Sequence, residues 1–194
     1  MVHTGTTTTT SRWKTTRFLL PVPLFISFYA PILDSLKSLD MNALAITLHG
    51  ILATIWVGGM FFAYVVLRPS LSTLAPPQRI ALFAGVFKRF FPWVWMAVLL
   101  MPLTGYWLIF GAFGGFATSP IYVHIMHLLG LVMIALFVYL YFVPYRGLVS
   151  DVSKEAWPEA GRALNRVRQV VLVNLVIGLV LIGSVYAGRY GLFG

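Results

Sequence analysis

The stretch ALAITLHGILATIWVGGMFFAYVVL, residues 43–67, contains no Asp, Glu, Lys or Arg, and its most polar side chain is one histidine, His49. A helix needs roughly 20 apolar residues to cross a bilayer, so this run is long enough for one crossing. Three further runs have the same character, at 90–113, 121–143 and 168–188. Over the whole chain of 194 residues, 59% are hydrophobic and 10% charged, against about 25% charged in an ordinary soluble domain. The mean hydropathy is +0.87. This composition argues against a soluble globular fold. It predicts an all-α integral membrane protein, a four-helix transmembrane bundle occupying residues 42–190, with a short outer turn and two basic cytoplasmic loops.

The net charge of +9 would suggest nucleic acid in a soluble protein, but a membrane chain gathers Lys and Arg in its cytoplasmic loops for topological reasons, so no nucleic-acid partner is implied. The segment between the first two spans carries Arg68, Arg79, Lys88 and Arg89 without an acid, and that between the last two carries Arg146, Lys154, Arg162, Arg166 and Arg168 against Asp151, Glu155 and Glu159. The turn from Gly114 to Pro120 has no charge. The positive-inside rule therefore places both basic segments in the cytoplasm and the short turn and C-terminus outside, giving a multi-pass protein of a bacterial-type inner membrane. Pro76-Pro77 and Pro158-Glu159 stand where helices begin, so the second and fourth spans are expected to extend into the cytoplasm as helices.

Residues 1–41 read as an N-terminal extension. Its first part is Thr-rich and polar, a composition that favours disorder. The apolar stretch at 18–33 is broken by Pro21, Pro23 and Pro31 and resembles a signal sequence or marginal anchor, or the whole segment is an over-long start before Met41.

The absence of cysteine removes disulfides, thiolate metal sites, iron–sulfur clusters and covalent haem attachment together. Histidines then carry the interest. His49, His124 and His127 lie inside predicted spans, where ionisable groups are costly and mark function by default. Helical rise puts all three roughly 5 to 9 Å below the outer boundary. Two imidazoles on facing helices suit haem b, and His49, Ala53, Trp56 and Met60 share one helical face as a porphyrin wall would require. His124 and His127 are neighbours at i,i+3, so either supplies the second ligand, and Gly130 leaves room for a ring edge. Copper competes for the same imidazoles. Met126 sits between the two histidines in sequence but points about 100° from His127. A proton relay and plain interfacial histidines are the remaining uses of these side chains.

Other features read as scaffold. Gly50, Thr54 and Gly58 form a small-residue stripe suited to close helix contact. Pro102 is expected to kink the second span below Thr104, Tyr106 and Trp107. Asn174 and Gly178 suit an interhelical hydrogen bond and contact. Arg189, just beyond the last span, serves either as an interfacial anchor or as a partner for a cofactor carboxylate. No carboxylate lies inside a span, which disfavours hydrolytic acid–base pairs.

Taken together, LHGILATIWVGGMFFAYVVLRPSL (Leu48 to Leu71), FKRFFPWVWMAVLLMPLTGYWLI (Phe87 to Ile109), VHIMHLLGLVMIALFVYLYFVPYR (Val123 to Arg146) and LNRVRQVVLVNLVIGL (Leu164 to Leu179) resemble the CopD (copper-resistance D) domain family of small membrane proteins. More distantly the order of elements is similar to the HemJ-type protoporphyrinogen oxidases. The resemblance implies a four-helix membrane bundle and matches His49 and His124 to the family's histidine positions. HemJ-type proteins carry a Lys two residues after the third-helix His, and Met126 stands there in this chain. The expectation is a membrane-embedded haem b protein for electron transfer, with cofactor contacts at His49, His124, His127 and Arg189 and a membrane oxidoreductase or a second copy as partner. Copper transport or delivery is the alternative. A protoporphyrinogen oxidase-like activity and a structural role in a larger membrane complex are further ones.

Overall fold

The computed structural model describes residues 40–191; the proline-broken stretch at 18–33 lies outside them. Four helices follow in order: α1 (Met41–Ser70), α2 (Pro76–Gly111), α3 (Ile121–Ser153) and α4 (Trp157–Arg189), each long and apolar enough to cross a membrane. Their starts are chemically marked. The Asp40 carboxylate accepts from the Asn42 backbone N–H at 2.9 Å, which satisfies one of the orphan donors of the first turn. Pro76, Pro77 and Pro158 occupy first-turn positions where no N–H is needed.

The expected bundle is present, and its basic segments are largely helical, as the prolines at Pro76-Pro77 and Pro158 lead one to expect. Connections between α1 and α2 and between α3 and α4 are only residues 71–75 and 154–156, so Arg79, Lys88 and Arg89 sit on α2, and Arg162, Arg166 and Arg168 on α4. The helices continue past their apolar stretches at this end and carry the charges on their own extensions. The opposite turn is built differently. Gly114 and Gly115 adopt φ of +76° and +121°, a region that favours glycine. The Thr118 hydroxyl donates to the Phe113 carbonyl and that of Ser119 to Gly115 O at 2.8 Å, closing the turn with side chains.

Both α1 and α3 contain a π-helical segment in their basic half, Phe62–Leu67 and Tyr141–Tyr145. The second holds Pro144, whose missing N–H interrupts the regular ladder.

The tightest backbone packing is α1 on α2 and α3 on α4, with α4 also touching α1 and α2. Large rings fill the space between the two pairs. Phe83, Phe87 and Phe91 line one face of α2 at four-residue spacing. Phe91 and Trp95 meet Phe137 of α3 edge to face at 5.5 and 5.3 Å, and Trp56 of α1 reaches the same ring at 6.1 Å. Leu99, Leu103, Phe110, Leu128 and Val180 are exposed, as a lipid-facing surface requires.

The small-residue stripe of α1 does not serve helix contact. A Cβ added at Gly50 or Gly58 would meet nothing within 4 Å, and Thr54 is exposed with its hydroxyl turned back to Gly50 O. The buried residues of α1 are Ala45, Leu52, Trp56, Val57, Met60 and Ala63. Leu52 and Trp56 lie two residues from Thr54 and Gly58, about 200° around the helix. Close approach occurs instead at Gly178, where a Cβ would come within 2.9 Å of Val57 Cγ2 and 3.3 Å of Met133 Cε, and at Gly188, within 2.7 Å of Tyr122 Cβ.

Asn174 makes the anticipated interhelical bond, donating from Nδ2 to Met133 O at 3.2 Å, while its Oδ1 is buried without a partner. The two facts pull in opposite directions. Asn174→Leu forfeits one membrane hydrogen bond, worth about 0.6 kcal/mol on average, and removes an unsatisfied acceptor. A stability change below about 1 kcal/mol is expected from thermal unfolding in detergent; a larger loss would show that the amide does more than bridge two helices.

Candidate functional site

The site is built on α1, α2 and α3 at the end of the bundle that carries the Gly114–Pro120 turn. His49 of α1 is half-buried and faces α2, where its Nδ1 lies 2.9 Å from the Thr104 hydroxyl. That hydroxyl also lies within reach of the main-chain carbonyls of Leu100 and Met101, at 2.9 and 3.1 Å. When it donates to them, its oxygen accepts from His49 Nδ1–H, and that tautomer keeps the lone pair on Nε2. This is how a ligating histidine is commonly held, one nitrogen hydrogen-bonded and the other open to a metal. Gly105 allows the approach, with its Cβ position 3.5 Å from His49 Cε1. A second tie, from Trp107 Nε1 to Asn42 Oδ1 at 3.2 Å, holds the same two helices nearer the end of the bundle.

His127 of α3 is half-buried between two rings, Tyr106 of α2 at 5.4 Å and Phe116 of the outer turn at 5.2 Å. His124 is exposed and tilted over Phe116 at 6.0 Å. Phe116 thus gathers the two α3 histidines at this rim of the bundle. His49 stands apart from them. Its partner Thr104 and the His127 neighbour Tyr106 are two residues apart on α2, about 200° around that helix. Among the described residues no group of three His, Cys, Asp or Glu is arranged to hold one metal ion. Arg189 is exposed in the last turn of α4, where a cation complements the helix dipole.

Haem b can be tested against these side chains. A porphyrin held by His49 and His124, the expected pair, would have to bridge an imidazole turned against α2 and one exposed beside Phe116. The expected wall is also occupied: Trp56 and Met60 are each 4% exposed and belong to the core around Phe137, while Ala53 is half-buried. The present arrangement therefore does not fit a haem between α1 and α3. It fits imidazoles acting separately, His49 against α2 and the α3 pair at the rim.

Thr104 is the residue whose role composition and spacing do not reveal. A threonine in an apolar span ordinarily bonds the carbonyl one turn back, as this one does, and nothing local to it signals a histidine 55 residues away.

A model of the family CopD, described as Copper resistance protein D, matches residues 84–187. No curated protein and no solved structure gives a significant match. The matched region starts after α1 and takes in Thr104, His124, His127, Asn174 and Gly178, and it covers just over half of a chain that is a multi-pass helical bundle throughout its described residues. The sequence and the fold thus agree: this chain belongs to the CopD family of copper-resistance-related membrane proteins.

Proposed function

We propose that the protein binds copper as cargo in the outer half of the bundle and moves it within or across the membrane. His49 is the buried ligand, and His124 and His127 form the exposed point of capture. The observation that carries this reading is the 2.9 Å contact between His49 Nδ1 and the Thr104 hydroxyl, which orients the ring and, with the proton on Nδ1, presents the Nε2 lone pair to a metal. Imidazole nitrogens suit copper in both oxidation states, and His124, at the exposed rim, is the ligand a solvated ion would meet first. The order rim to interior follows from exposure alone: exchange is fast at His124 and slower at His49.

Copper titration of the purified full-length protein in detergent tests this. Wild type is expected to bind copper, His49→Ala to bind it at least about tenfold more weakly because a nitrogen ligand is lost, and His124→Ala with His127→Ala to slow its uptake. The visible spectrum of the same samples discriminates against haem b. A Soret band in the purified protein that disappears in His49→Ala would replace cargo copper by a resident haem and electron transfer. Copper affinity unchanged by all three substitutions would overturn the reading.

The same proposal orients the chain. With the arginine-rich end in the cytoplasm of a bacterial-type inner membrane, the histidine end and the C-terminus face outward. A reporter fused after Gly194 should be extracytoplasmic and one inserted at Lys154 cytoplasmic. The opposite result would put capture of copper on the cytoplasmic side.

A further inference from the structure

At the other end of the bundle arginines from two helices share a cleft, with a third on the neighbouring α2. Arg68 ends α1, Arg79 lies in the first turn of α2, and Arg168 lies in the basic half of α4. Arg68 and Arg168 line one cleft together with Tyr64, Phe83 and Phe87. The Arg168 guanidinium carbon is 4.8 Å from the centre of the Phe83 ring, and that of Arg68 is 5.2 Å from the Tyr64 ring. Arg68 and Arg79 both repel Arg168. The ion pair that the described residues form joins Arg162 to Glu159, away from this cleft. Arg168 Nε is buried and has no hydrogen-bond partner.

These facts leave a deficit that the described residues do not meet. A buried N–H without an acceptor is costly, more so on a charged group, and like charges at short range add to that cost. The aromatic rings shield the faces of the guanidinium groups but accept nothing from their edges, where the N–H donors lie. A water molecule would satisfy Nε and leave the repulsion. An anion with several oxygens, seated over the open mouth of a cleft that itself has room for little more than a water, relieves both.

We propose that the cleft binds a phosphate group, whose oxygens accept from the edges of Arg168 and Arg68 while Arg79 adds charge. Arginine matches the geometry of phosphate oxygens, and the three arginines stand at the basic ends of apolar spans, the level of lipid headgroups. The π-helical turn of α1 takes part. It carries Ala63 and Tyr64 into the cleft and ends immediately before Arg68, and such turns recur at functional sites. The phosphate comes either from an anionic lipid of the adjacent leaflet or from free phosphate.

The purified full-length protein is tested with two probes. In detergent, inorganic phosphate is titrated against chloride at equal ionic strength. In bilayers, vesicles of phosphatidylcholine are compared with vesicles containing phosphatidylglycerol. The unfolding temperature is read in both. A rise with phosphatidylglycerol alone identifies a lipid site, and a rise with inorganic phosphate identifies a site for the free anion. In either case Arg168→Gln should weaken the response roughly tenfold or more, since a charged hydrogen bond is removed. Arg162→Gln, whose side chain is exposed and paired with Glu159, should leave it unchanged. If Arg168→Gln does not assemble, Arg68→Gln combined with Arg79→Gln gives the same readout on the cleft. No response of the wild type to either probe, or an equal response in wild type and cleft variants, would overturn the proposal.

Discussion

Gly178→Leu is expected to destabilise the bundle by about 3 kcal/mol, the upper end of ordinary overpacking, while Gly58→Leu should change stability by less than about 0.5 kcal/mol. Both replace a glycine in the middle of a span by the same side chain, so propensity and hydrophobicity cancel between them. Only the neighbours differ. At Gly178 even a Cβ sits 2.9 Å from Val57 Cγ2 and 3.3 Å from Met133 Cε. Met133 can swing its terminal methyl aside, but Val57 is β-branched and held to one rotamer in a helix. The strain must therefore move α4 away from α1. At Gly58 the added side chain enters open space on the lipid face. Thermal or denaturant unfolding in detergent measures the pair, and similar tolerance of leucine at both positions would invalidate the assignment of α4 as the helix wedged between α1 and α3.

Thr104→Val should weaken copper binding by about 10- to 100-fold, the usual cost of losing the group that orients a ligating histidine. The substitution keeps the shape and removes the hydroxyl, so His49 Nδ1–H loses its acceptor and the ring its preferred tautomer. Thr104→Ser restores the oxygen and should restore most of the affinity. This rescue separates orientation from packing, because serine is the smaller residue and would be the worse one if volume mattered. Wild-type affinity in Thr104→Val, alongside loss in His49→Ala, would mean that the hydrogen bond has no part in binding.

The two predictions rest on contacts of different legibility. The need for small residues between helices is readable, and Gly178 beside Asn174 reads as a contact. The stripe at Gly50, Thr54 and Gly58 carries the same signal and faces outward. A soluble helix marks its inner face by contrast with a polar outer one. These four helices have almost no such contrast, because lipid is as apolar as the interior. The basic end illustrates the complementary case. Its charges and the helical extensions that carry them are evident in the sequence, whereas the meeting of Arg68 and Arg168 at one cleft is not.

What the sequence alone determined is set by local physics: four apolar runs long enough to span, proline at helix starts, an uncharged turn between the second and third spans, and histidines near one end of their spans. Each follows from hydropathy, helical rise or backbone sterics within a few residues. What only the tertiary structure decided is which residues face one another. His49 meets Thr104 across 55 positions, Asn174 meets Met133 across 41, and Trp56 and Met60 pack as core where spacing suggested a porphyrin wall. The rotation of each helix about its own axis makes those choices, and in a bilayer that angle is fixed by side chains interlocking across helices, with no hydrophobic contrast along the chain to announce it.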